Sequence, residues 1–370
     1  MSVRITQCTT NRSYLKNLNN SQHAMNKAME RVETGRDFTR ASENVTGATR
    51  AIDLRTKLYK NEQMQNNVNT AIEELTMGED AVATMTDICS TVYSNMLRAM
   101  NGSNLTAAKS TFLESLESSK DEIMKLANTT YNNKFVMGGQ GTEGLPFKVN
   151  DEGYLEFNGA PMSEIEDRFQ AGQPESDEKY FYQSSPIKNS GDNFMDVGLD
   201  ISAVNGRVAP KSAFKTTVDG VKILGYGTSE VSYRDIKTLQ SQNGGAGGAS
   251  AADDDSETVS NNIYNMMTDM QKALESEDLD KLSAILVNFQ KQTDNLIAQR
   301  SEIGGRMKYL ENNLNRLENE NTSLLKMQKD TEGVDDATEI TNFMGYQNAW
   351  NLVLQFGKNV VPKSLMDYVN

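Results

Sequence analysis

His23 is the only histidine of the 370-residue chain, and no second ligand accompanies it at metal-binding spacing, so it reads as an ordinary helix residue rather than an acid-base group. Gly138-Gly139-Gln140-Gly141 has the glycine density of a phosphate-cradling loop. It lacks the closing Lys-Ser/Thr and follows a helical stretch instead of a strand, which makes it a turn. Asp253, Asp254 and Asp255 bring three carboxylates together without the spaced ligands and fixed turn of a calcium loop, and read as solvated linker. Other carboxylates interleave with Lys and Arg at the surface spacing of helical ion pairs, as in Glu302 with Arg306. Cys8 and Cys89 are the only thiols, too few for a disulfide framework, and Cys89 lies on an apolar stripe as a small core hydrophobe. No enzyme, cofactor or metal centre is expected.

What surrounds these residues is periodicity. Between Leu282 and Leu324 the positions spaced alternately four and three apart are Leu282, Leu286, Phe289, Thr293, Leu296, Arg300, Ile303, Met307, Leu310, Leu314, Leu317, Asn321 and Leu324, a coiled-coil seam along a rod of roughly 65 Å. Val68, Ala71, Leu75, Gly78, Val82, Met85, Cys89, Val92, Met96 and Ala99 repeat the alternation in the N-terminal third. Neither rod buries its own seam, so each needs a partner, and the two can pair with each other. Asn321 is a candidate for fixing coiled-coil register at some cost in stability, whereas Arg300 fits either that role or a water-facing seam edge.

Proline and glycine divide the chain. Five of six prolines (Pro146, Pro161, Pro174, Pro186, Pro210) and seventeen of 26 glycines lie in the middle, while Ser250 to Ile303 is glycine-free until Gly304. Phe147 and Val149 against Leu155 and Phe157 form a hairpin pattern around Asp151-Glu152-Gly153. Asn158-Gly159 and Asp219-Gly220 offer further turns, and Val218, Val221, Ile223, Leu224 and Tyr226 suggest another strand pair. The fold class expected is mainly α with an inserted β-rich domain, the N- and C-terminal helices forming a coiled-coil rod. Its parts are an N-terminal amphipathic assembly segment (1–40), N-terminal rod helices (41–137), the β-rich domain (138–240), a flexible linker (241–260), C-terminal rod helices (261–333) broken near Ser276-Glu277-Asp278, and a C-terminal amphipathic assembly segment (334–370).

Both tips carry apolar faces with no obvious cover inside the chain, so neighbouring molecules are expected to supply it. The candidate interface residues are Ile5, Leu15, Leu18, Met25, Met29, Val32, Ile340, Phe343, Met344, Trp350, Leu354, Leu365 and Tyr368. A net charge of −14 and an isoelectric point near 4.8 argue against nucleic acid as a partner. Mean hydropathy of −0.60 and the lack of a bilayer-length apolar run argue against a membrane, and Met1 to Asn20 lacks the apolar core of a secretory signal.

Several segments together resemble the bacterial flagellin superfamily. They are Val3-Arg-Ile-Thr6, Met25 through Met29-Glu-Arg-Val-Glu-Thr-Gly-Arg36, the Tyr59 to Val82 helix with Asn67 and Ala71, and Asn133-Lys-Phe-Val-Met-Gly-Gly-Gln-Gly-Thr142 before Pro146-Phe147. Ile303-Gly-Gly-Arg306, Leu310-Glu-Asn-Asn-Leu314, Val334-Asp-Asp-Ala-Thr-Glu339 and Gln347-Asn-Ala-Trp350 match the superfamily's C-terminal pattern. The ending Ser364-Leu-Met-Asp-Tyr-Val369 is similar to the branch that joins hook to filament, although Ala41-Ser-Glu-Asn-Val45 replaces the usual Ser-Asp-Asp-Pro element. The resemblance implies an extracellular structural subunit of the flagellum, exported by the type III route without a cleaved signal peptide. Its partners would be copies of itself, hook-associated protein 1 on the hook side, flagellin on the filament side and an export chaperone. A flagellin-type filament subunit and a cytoplasmic coiled-coil scaffold are the alternative readings.

Overall fold

The computed structural model describes residues 7–101, 105–139, 144–166, 180–181, 194–198, 203–204, 207–208, 214–242 and 256–360. Among them are helices α1 (Gln7–Thr34), α2 (Val45–Asn101), α3 (Leu105–Ala127), α4 (Gly220–Leu224), α5 (Tyr233–Gln242), α6 (Ile263–Ser276), α7 (Leu279–Glu332) and α8 (Asp336–Val360). The chain is mainly helical with a small β-containing insert. It divides into two compact units, a terminal one of Met1–Gln63 with Leu317–Asn370 and a central one of Met64–Arg316.

In the central unit the two seams meet. All ten positions of the N-terminal stripe are buried, and so are Leu282, Leu286, Phe289, Leu296, Ile303 and Leu310. Tyr93 Oη lies 3.0 Å from Gln290 Oε1, Glu79 pairs with Arg300, and Thr76 Oγ1 donates to Met307 Sδ at 3.6 Å, so α2 and α7 run antiparallel. Arg300 is exposed and its partner Glu79 is half-buried, which places the arginine at the water-facing edge of the seam. Burial pushes the Cys89 thiol up to about 12 and keeps it neutral. The expected break between α6 and α7 is present: Glu277 takes the left-handed conformation (φ 58°) and its N–H closes α6.

The hairpin of β1 (Phe147–Val149) and β2 (Leu155–Phe157) pairs Phe147 with Phe157 and Val149 with Leu155, and β3 (Ala160–Pro161) follows the Asn158-Gly159 turn. The Phe147 and Phe157 rings lie 5.0 Å apart and are fully covered. Asparagines stitch this sheet to the helices. Asn128 both donates to the Phe147 carbonyl (3.1 Å) and accepts from its N–H (3.2 Å), acting as a surrogate strand, and Asn265 Oδ1 accepts from Leu155 N at 2.7 Å. Asn262 caps α6 and donates to the Gly225 carbonyl at 2.9 Å.

Three expectations need correction. Val221, Ile223 and Leu224 form not a strand pair but the short helix α4, with Ile223 N donating to Asp219 O at 3.0 Å. A short apolar run fits a buried helical turn as well as a buried strand, and here all its apolar residues are covered. Residues 256–260, expected within the linker, are a strand, β5 (Ser256–Ser260), antiparallel to β4 (Thr228–Ser232) across five residue pairs. Its Ser-Glu-Thr-Val-Ser sequence alternates too weakly to stand out beside the glycine-rich stretch. Finally, Glu302 and Arg306 each reach partners distant in sequence. Glu302 meets Lys222 at 3.3 Å, while Arg306 donates to the carbonyls of Thr217 (3.1 Å) and Lys215, holding the chain just before α4. Gly139 has the positive φ of a turn residue (69°), whereas Gln140, Gly141, Asp253, Asp254 and Asp255 lie outside the described residues.

Candidate assembly interface

In the terminal unit α1 and α8 pack on each other. Tyr14 rests against Gly357, where its hydroxyl fills the place of a side chain, and Arg31 Nη1 meets Glu339 at 3.5 Å, so the pair is antiparallel. On α1 the less exposed positions include Asn11, Tyr14, Leu18, Ser21, Met25, Ala28 and Val32, a seven-residue repeat facing α8, with Ala24, Lys27 and Arg31 half-covered beside it. On α8 they are Glu339, Phe343, Trp350, Val353 and Gly357.

The elbow that holds this pair is ionic and built from both interhelical links. Gly35 (φ 65°) ends α1, Arg36 bridges Gly333, Asp37 N donates to Glu332 O at 2.8 Å and Val334 N donates to Gly35 O at 3.2 Å. The Glu332 carboxylate is 4% exposed, accepts from Arg55, and lies 3.7 Å from Arg36 Nε. Arg31 Nε donates to the Asp37 carbonyl at 2.9 Å. Arg31, Gly35, Arg36 and Val334 stand in the segments that carry the sequence resemblance, with no role readable there, whereas Asp37, Arg55, Glu332 and Gly333 carry no such motif. Their signal was a glycine flanked by charge in both links, Gly35-Arg36 and Glu332-Gly333. The altered element at Ala41 to Val45 finds its own solution: Asn44 Oδ1 accepts from Gly47 N at 2.8 Å and starts α2, while Glu43 pairs with Lys27 at 3.4 Å. Behind it Phe38, Ala48 and Ala51 form a small core.

The structure sorts the candidate interface residues. Leu18, Met25, Val32, Phe343 and Trp350 line the α1/α8 seam and are partly covered within the chain, which corrects the expectation that the tips lack internal cover. Leu15, Met29, Ile340, Met344 and Leu354 point away from it and are exposed, Met344 by 57%. Ile5, Leu365 and Tyr368 lie outside the described residues, and Asn321 is half-buried on α7. From Ile340 to Gly357, α8 runs eighteen residues without a charge, yet only one face is covered. Thirteen of the nineteen large apolar side chains exposed among the described residues belong to the terminal unit. Exposed apolar side chains gathered on an uncharged stretch mark a surface that other molecules cover. No described helix is long and apolar enough to cross a membrane.

Residues 5–142 match the family model of the bacterial flagellin N-terminal helical region, which spans the Met25 to Arg36, Tyr59 to Val82 and Asn133 to Thr142 segments. Over that N-terminal stretch the chain is similar to the bacterial flagellins. It is 26% identical over 141 residues to flagellar hook-associated protein 3 of Salmonella typhimurium, a match that covers 38% of this chain and 44% of that protein. It is 21% identical to a flagellin of Clostridium tyrobutyricum over 89% of this chain and 91% of the relative. The fold is similar to that of a flagellar hook-associated protein of Vibrio parahaemolyticus, with a TM-score of 0.55, 15% identity and coverage of 79% of this chain and 100% of that one. A flagellar hook-associated protein 3 of Legionella pneumophila aligns with a TM-score of 0.50 at 13% identity, covering 75% and 96%.

Proposed function

We propose that the chain is a structural subunit of the bacterial flagellum that forms the junction between hook and filament. The observation that carries this reading is α8: a helix uncharged from Ile340 to Gly357, held in place by α1 and the ionic elbow, whose other faces are bare among the described residues and available to other molecules. The likeness to hook-associated protein 3 supports the junction over other axial positions. Leu15, Met29, Ile340, Met344 and Leu354 would contact neighbouring copies, hook-associated protein 1 on the hook side and flagellin on the filament side. Leu18, Met25, Val32, Phe343 and Trp350 would keep the α1/α8 pair together, and Asn321 would fix register in α7. The 138–240 segment would face outward, and an export chaperone would cover the tips before type III secretion to the cell exterior.

Deletion of residues 1–40 tests the family's export route: secretion in a flagellated host should be lost, and undiminished secretion would return the cytoplasmic scaffold to favour. A filament subunit is the second reading, favoured by the match to a flagellin along most of the chain. Polymerisation separates the two. The junction subunit should stay monomeric or form short rings in purified form, whereas a filament subunit should form long filaments when seeded.

A further inference from the structure

The first nineteen residues of α2 carry a second stripe that is bare among the described residues. Val45, Thr49, Ile52, Thr56, Tyr59 and Gln63 recur at alternating steps of four and three, are all uncharged and all exposed, with Val45, Ile52 and Tyr59 at 69%, 62% and 64%. The face of α2 that packs inward is a different one, marked by buried Ala48, Ala51 and Asn61. A helix that presents two uncharged stripes of coiled-coil period, one buried and one bare, is built to receive a helix on the bare one. The terminal unit also presents a stripe that fits it. On α8, Ala337, Ile340, Met344, Gln347, Asn351 and Leu354 follow the same alternation, uncharged and exposed, on a face turned away from α1. At 1.5 Å per residue the two stripes are roughly 27 Å and 26 Å long. Cations outnumber anions beside the α2 stripe, where Arg50, Arg55, Lys57 and Lys60 stand with Glu62 and with Asp53, which meets Lys57 at 3.0 Å, whereas Asp335 and Asp336 stand at the start of α8.

We propose that the α8 stripe of one copy seats on the α2 stripe of the next copy, a head-to-tail contact that repeats from subunit to subunit. Head to tail, the contact leaves a bare α2 stripe on one copy and a bare α8 stripe on the other, so it is heterologous and propagates, whereas a two-fold pair would use both stripes and stop at a dimer. The proposal rests on the assembly reading above and names which faces meet.

Cysteine pairs test it on the full chain. In a Cys8→Ser background, Met344→Cys is combined in turn with Thr49→Cys, Ile52→Cys, Thr56→Cys and Tyr59→Cys, all at exposed positions so that the folded chain is preserved. Isolated flagella and the concentrated purified chain are each oxidised mildly and resolved by denaturing electrophoresis. At least one pair should give a ladder of linked dimers and higher multimers that the single variants do not give, and adding Ile52→Lys to a linking pair that retains Ile52 should reduce that ladder several-fold. Two results would overturn the proposal: linked species from none of the four pairs in either preparation, or dimers that form as readily from an α2 cysteine alone, which would mean that α2 meets α2. An immunoblot of the flagella before oxidation reads the flagellar role separately.

Discussion

Asp219 sits at the turn into α4, and burial pushes its carboxyl up to about 6 from its ordinary 3.8. Between those values the folded protein keeps a proton that the unfolded chain has released, so this group makes stability fall as pH rises through that window, by on the order of 3 kcal/mol. Asp219→Asn should remove that fall. Denaturant melts of both proteins at pH 4 and pH 7 check it, with the variant gaining on the parent at the higher pH. Gly225 gives a backbone counterpart. Its φ is +80° and a Cβ would run into the Asn261 carbonyl, so Gly225→Ala should cost about 2 kcal/mol or more, read as a lower melting midpoint.

At the level of elements, the seam predicts which large residues bear load. Leu286 is fully buried between α7 and its neighbours, and Leu286→Ala should cost roughly 2–5 kcal/mol. Ile297 is 50% exposed on the same helix, and its change to Ala should stay within about 0.5 kcal/mol; equal losses at the two sites would mean that α7 faces the wrong way. The long helices and the first hairpin were legible from sequence because each rests on a local repeat, 3-4 alternation for the seams and period two around a turn for Phe147 to Phe157. What could not be read was set by distant partners. Val221 to Leu224 became helical against the central core, β5 needed β4 to declare itself, and the buried asparagines 128, 262 and 265 gain meaning only from the backbone groups they meet. Among interface candidates, residue type alone could not separate Leu18, which faces α8, from Leu15, which faces away.

For the whole molecule, stability should be uneven. The α1/α8 pair is a two-helix contact with a bare outer surface, whereas the antiparallel α2/α7 seam is closed over by the central unit's helices and strands. Hydrogen exchange on the isolated chain should show α8 amides exchanging well ahead of those around Leu286 and Met85, and incorporation into flagella should slow α8 selectively. Equal protection of both in the free chain would remove the reason for α8 to seek neighbours. Immunogold electron microscopy of flagella from cells expressing the full chain, labelled with an antibody against it, tests the central claim most directly. A single band of gold where hook meets filament is the result expected of a junction subunit. Gold along the entire filament, or gold confined to the cell body, would contradict it.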